Sequence, residues 1–166
     1  PYGQKDATNG KWEKGPGIEL FYRMKEVLGD REVIAEDLGY VTDSVRKLVS
    51  EIGFPGMKVL EFAFDSRDTG STNDYLPHNY IENCVAYTGT HDNDTIVGWY
   101  NTIEGADKEF AKRYVGLTDD ADSELNWKFI KTAMTSVADT AIIPIQDYLG
   151  LGTEARINVP STLGTN

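Results

Sequence analysis

The sequence predicts an α/β fold built on a parallel sheet. Helical and extended hydrophobic patterns alternate along the chain, which argues for crossover units joining parallel strands. The extended segments read as near-continuous apolar runs, the pattern of strands covered on both faces. At 166 residues the chain is long enough for one domain with a real core. A doubly wound sheet and a piece of a (β/α) barrel both satisfy this pattern.

The elements follow in order. Ile18, Phe21, Met24 and Leu28 recur at spacings of three and four, with Gly29 as the stop of a first helix. Val33-Ile34-Ala35 is too short for a helix and reads as a buried strand. Thr42 or Asp43 can cap a second helix carrying Val45, Leu48, Val49 and Ile52, closed by Gly53. Met57 to Phe64 reads as a strand. Asp65 to Asn83 is irregular and long for a connection, and such loops are usually functional or disordered. Cys84 to Thr88 is a third strand, followed by a helical region through Tyr114 with a break near Gly105. A long helix is expected from Ser123 to Asp139, with Leu125, Phe129, Ile130, Ala133, Met134 and Val137 on one stripe. A fourth strand, Ala141 to Ile145, ends the pattern.

Composition narrows the function. Twenty-seven acidic residues against 16 basic ones give a net charge of -11, a surface that repels nucleic acid and anionic membranes. No apolar run approaches a membrane span. The single cysteine, Cys84, excludes an internal disulfide and points to a reducing cytoplasm. One Cys and two His make a poor metal cage, and no cofactor is called for. The chain opens on Pro1-Tyr2-Gly3-Gln4 and closes on Leu163-Gly164-Thr165-Asn166, turn-like at both ends, which leads us to expect a piece of a longer protein.

Polar groups follow each apolar run: Glu36-Asp37, Asp65, Gly89-Thr90-His91-Asp92 and Gln146-Asp147. In parallel α/β proteins the carboxyl ends of strands face the active site. Four such groups in phase, without a Cys nucleophile or a glycine cradle, suggest acid–base work on a neutral, hydroxylated substrate. Each carboxylate could instead cap the next helix or turn. Glu36 is the candidate acid/base, with partial desolvation expected to keep it protonated; the alternative is a surface Glu. His91-Asp92 is the second candidate, exposed by a sharp turn at Gly89 and Thr90, the alternative being a helix cap by Asp92 or Asp94. Three motif matches are set aside. Gly150-Leu151-Gly152-Thr153-Glu154-Ala155 fits a dinucleotide fingerprint only loosely and reads as a loop. Asn93-Asp94-Thr95 is a glycosylation sequon without meaning in a cytoplasmic chain. Asp120 to Glu124 alternates acids like a calcium loop, but lacks its Gly and distal Glu and reads as a helix cap.

Several runs resemble amylomaltase, the bacterial and plastid 4-α-glucanotransferase family. They are Asn9-Gly10-Lys11-Trp12 through Gly17, Ala35-Glu36-Asp37-Leu38-Gly39, Phe54-Pro55-Gly56-Met57-Lys58-Val59-Leu60, Leu76-Pro77-His78-Asn79-Tyr80, Tyr87 through Thr95, and Gln146-Asp147 through Gly152. The resemblance covers nearly the whole chain, in order. It implies a partial (β/α)8 TIM barrel, with residues 1–166 roughly the C-terminal half of a catalytic barrel. It also implies an enzyme that moves α-1,4-glucan segments between maltodextrins by a retaining double displacement. By this resemblance Glu36 is the general acid/base and Asp92 stabilises the transition state. His91 hydrogen-bonds the same sugar and Asp65 is an acceptor-side contact. The family's nucleophile is an Asp in an Arg-x-Asp-His motif, and neither His78 nor His91 is preceded by that pattern. The expectation is that this motif lies upstream, that the chain needs the upstream half of its own barrel, and that alone it is inactive. Two alternatives are a hydrolase of the α-amylase clan and a non-catalytic glucan-binding module using His91, Asp92, Trp99 and Tyr100.

Overall fold

The computed structural model describes residues 2–6, 8–11, 13–39, 41–65, 73–119 and 123–163. Its centre is a three-stranded parallel sheet of β1 (Gly56–Val59), β2 (Cys84–Tyr87) and β3 (Thr140–Ile142), in spatial order β1-β2-β3. The register pairs Gly56 with Cys84, Val59 with Tyr87, and Tyr87 with Ile142. Around it lie helices α1 (Ile18–Leu28), α2 (Asp43–Ile52), α3 (Ile96–Thr102), α4 (Gly105–Val115), α5 (Leu125–Met134) and the single turn α6 (Ile145–Tyr148).

The expected Val33–Ala35 strand contracts to one parallel bridge, Ala35 to Gly56. The Ala35 N–H donates to the Pro55 carbonyl at 2.9 Å. Just beyond it, the Asp37 carboxylate accepts the Met57 N–H at 2.8 Å, so a side chain takes over where a ladder would continue. The expected strand from Met57 to Phe64 stops at Val59. Leu60–Phe64 winds into a 3-10 turn that buries Leu60, Glu61, Ala63 and Phe64 and leaves only Phe62 exposed. An apolar run of that kind has the same composition in either conformation. The last expected strand is also shorter, because Pro144 ends it and opens α6. The long helix spans Leu125–Met134 only. Leu125, Phe129, Ile130 and Ala133 are buried as the stripe requires, whereas Met134 and Val137 lie exposed. Of the cap expected within Asp120 to Glu124, Glu124 stands before α5 but its side chain makes no capping bond, and residues 120–122 lie outside the described residues.

Other expectations hold in detail. α1 closes at Gly29 with φ 74° and α2 at Gly53 with φ 73°, backbone regions that favour glycine. Thr42 is the residue before α2, but its hydroxyl pairs with Ser44 Oγ instead of capping the helix. The break near Gly105 separates α3 from α4.

The core lies between β2 and helices α3, α4 and α5. Leu60, Ala86, Ile96, Tyr100, Phe129 and Ala133 are buried there. Phe64 is its hub, meeting Phe110, Tyr114 and Phe129 edge-on at 5.6–6.0 Å between ring centroids. Coverage on both faces holds for β2, while β3 is exposed at all three residues.

Candidate active site

The register sets the geometry. Chain direction is shared by the strands, so the segments after Ala35, Val59, Tyr87 and Ile142 all leave from the carboxyl-terminal edge of the sheet. Glu36 follows the Ala35 bridge and is exposed; the desolvation expected for it is not provided by this chain. Its neighbour Asp37 is structural. Besides bonding Met57, it fills the space in front of Gly56, where a Cβ would fall 2.5 Å from Asp37 Oδ2.

The turn after β2 carries His91 and Asp92, both exposed at the same edge. Asn93 Oδ1 closes it, accepting from the Thr90 N–H at 2.9 Å and the Thr90 hydroxyl at 2.8 Å. Two residues of the C-terminal segment tie Asp92 down. Arg156 Nη2 donates to the Asp92 carbonyl at 2.7 Å, and Asn158 Nδ2 donates to Asp92 Oδ1 at 2.5 Å. His91 Nε2 lies 3.4 Å from the same Oδ1. Asp92 therefore keeps a fixed orientation while remaining open to solvent. It does not cap α3. Thr95 does, accepting the Gly98 N–H at 3.1 Å, while Asp94 holds the Thr95 N–H and the Thr153 hydroxyl. Gly89 is not in a left-handed conformation; its requirement is space, since a Cβ there would meet Glu61 Oε1 at 2.8 Å and Asn93 Cβ at 3.2 Å.

Beneath this turn lies a buried acidic layer. Asp147, 1% exposed, accepts from the Thr88 hydroxyl at 2.5 Å and the Ile96 N–H at 2.8 Å, joining β2 to the start of α3. Burial pushes its carboxyl up, and the Thr88 and Ile96 bonds oppose the shift. Asp147 is thus a structural tie and not a rim group. Glu61, 7% exposed, is pushed up to about 9, first by burial and then by the charges of Asp147 and Asp94; Asn93 and Arg156 pull the other way. Its Oε1 has no hydrogen-bond partner.

Asp65 lies partly buried at the end of the 3-10 turn. Tyr100 is fully buried, with Lys108 Nζ 4.7 Å above its ring, and Trp99 packs against Phe64 and Phe129. Neither is the open sugar platform that the binding-module alternative requires. A groove of about 780 Å³ opens at the opposite end of the strands, between α1, α2 and Pro55, Cys84 and Thr140. It is remote in register from the carboxylates, so chemistry and not concavity locates the candidate site. Sequence reasoning missed Glu61, Arg156 and Asn158. Glu61 left one signal, a charge inside the apolar run Val59 to Phe64; the other two left none.

The fold and this rim define an α/β protein that presents exposed carboxylates at the carboxyl-terminal edge of a parallel sheet. Comparison with known proteins gives the family: the 4-alpha-glucanotransferase family signature matches residues 1–166, and the chain belongs to that family. It is 53% identical over 166 residues to the 4-alpha-glucanotransferase of Clostridium butyricum, covering 99% of this chain and 33% of that protein. Against the 4-alpha-glucanotransferase of Thermus thermophilus it is 48% identical over 159 residues, covering 93% of this chain and 31% of the relative. The structure matches an amylomaltase from Streptococcus agalactiae, solved with acarbose, at a TM-score of 0.87 and 39% identity, over 96% of this chain and 32% of that one. The chain thus spans about a third of the length of these relatives. Among the described residues no helix is long and apolar enough to cross a membrane, and no His/Cys/Asp/Glu group could hold a metal ion.

Proposed function

We propose that this chain is the acid/base-bearing part of a cytoplasmic 4-α-glucanotransferase, a partial (β/α)8 barrel acting on α-1,4-glucans as donor and acceptor. The observation that carries the reading is Asp92: an exposed carboxylate at the carboxyl-terminal sheet edge, held by Asn158 with His91 beside it. Family membership and the strand order, parallel and in sequence from the Ala35 bridge to β3, support it.

In the proposed reaction Glu36 protonates the glycosidic oxygen as the C1–O bond breaks, and a carboxylate nucleophile takes the glycosyl unit. Asp92 and His91 bind the sugar's hydroxyls, Asp92 stabilising the positive charge that develops at the ring. Glu36, now ionised, removes the proton from the acceptor's 4-hydroxyl as that oxygen displaces the enzyme carboxylate. Asp65 contacts the acceptor. The nucleophile's Arg-x-Asp-His motif is absent from the 166 residues, so it comes from another part of the barrel and the chain alone turns over nothing.

The test is Glu36→Gln in the full-length transferase with maltotriose as substrate. Turnover is expected to vanish while maltodextrin binding persists; unchanged disproportionation would refute the assignment. Longer and shorter maltodextrins formed by the isolated chain would refute its dependence on a second part.

A further inference from the structure

We propose that Glu61 is a positioning residue, holding the His91–Asp92 turn in place from beneath through Gly89 and Asn93. The proposal rests on the reading of Asp92 as the working carboxylate.

Three observations converge on it. Glu61 is tied to the strand end that launches the turn, its N–H donating to the Thr88 carbonyl at 3.3 Å. Its carboxyl sits directly under Gly89, at a distance that leaves no space for a methyl group. It also borders Asn93, whose Oδ1 accepts two of the bonds that close the turn at Thr90, and Thr90 Oγ1 in turn accepts the Asp92 N–H at 3.3 Å. From Asn93, which borders Glu61, hydrogen bonds run through Thr90 to the Asp92 backbone. The carboxylate end of Asp92 is fixed separately by Asn158.

The chemistry of the place demands an uncharged group. Asp147 faces Glu61 from α6 and Asp94 faces it from the turn, with the charge of Arg156 from the C-terminal segment opposing them. A neutral carboxyl can stand against these groups; an ionised one would push against both aspartates at once. With its proton held up to about pH 9, the group stays neutral at ordinary pH.

The experiment uses the full-length transferase, with Glu61→Gln as the neutral stand-in of similar shape and Glu61→Leu as the apolar one. Glu61→Gln is expected to keep kcat within about twofold, as a neutral group of similar shape should. Glu61→Leu is expected to lower kcat about tenfold or more with KM little changed, as a misplaced catalytic constellation does. A second readout needs no turnover: the backbone amide NMR shifts of Thr90 to Asn93 should overlay wild type in Glu61→Gln and move in Glu61→Leu. If Glu61→Leu does not fold, Glu61→Ala takes its place with the same two readouts. Wild-type kcat and amide shifts in Glu61→Leu would overturn the proposal, as would loss of kcat in a folded Glu61→Gln. Unchanged turnover in Asp92→Asn would instead sink the functional reading, and the amide shifts of the turn would then still judge Glu61.

Discussion

The buried Glu61 makes a definite claim about stability. Its folded pKa is raised from 4.5 to about 9, so between those limits the folded protein holds a proton that the unfolded chain releases. Stability falls as pH rises wherever the native state binds more protons. The effect is absent below about pH 4.5, grows by about 1.4 kcal/mol per pH unit, and levels off near pH 9. At pH 7 it amounts to about 3 kcal/mol. Glu61→Gln removes the titration and keeps the shape, so the variant should be more stable than wild type at neutral pH by up to that amount. The assay is urea unfolding of both proteins at several values from pH 4.5 to 9. Asp147, also raised, remains in both and cancels in the difference. The difference should be near zero at the acid end and widen steadily with pH. A difference that stays constant across the range would refute the reasoning, because it would mean that Glu61 titrates alike in the folded and unfolded chains.

Other expectations follow from single contacts. Gly56→Ala forces a methyl group into the Asp37 carboxylate and should destabilise by about 1–3 kcal/mol in thermal or urea unfolding. Thr88→Val leaves Asp147 one donor short and should cost about 1–3 kcal/mol. That bond lowers the Asp147 pKa, so its loss raises the pKa further; the cost should be largest at neutral pH and fade in acid, where the carboxyl is protonated in both states. Asn158→Ala frees the Asp92 carboxylate and should reduce transferase kcat about tenfold with little change in unfolding midpoint, read from maltotriose disproportionation.

The sequence made parts of this structure plain because the relevant signals are local. Phe21 and Leu28 share a helix face, and Gly29 and Gly53 end helices through their own backbone freedom. The exposure of His91 and Asp92 was likewise readable from the turn residues around them. Other features depend on what a segment meets in space. Leu60–Phe64 winds into a 3-10 turn because it must bury four of five side chains, which its composition does not reveal. Asp37 and Asp147 follow apolar runs just as Glu36 and Asp92 do. They became structural because Met57 in one case and Thr88 and Ile96 in the other lay within bonding distance. Asn158 is 66 residues from Asp92, and nothing in its own neighbourhood marks it as a partner.

Cys84 gives the sheet a chemical clock. It is the sole thiol in the 166 residues, stands at the first position of the central strand, and is 1% exposed, with burial pushing its thiol pKa up. A thiol so placed reacts only when β2 parts from its neighbours, since attack requires an accessible thiolate. The rate of labelling by a soluble disulfide reagent therefore reports the opening free energy of the strand that carries the Asp92 turn. Glu61→Gln and Thr88→Val should slow and quicken that clock, respectively, without any change in spectroscopic signal being needed to see it.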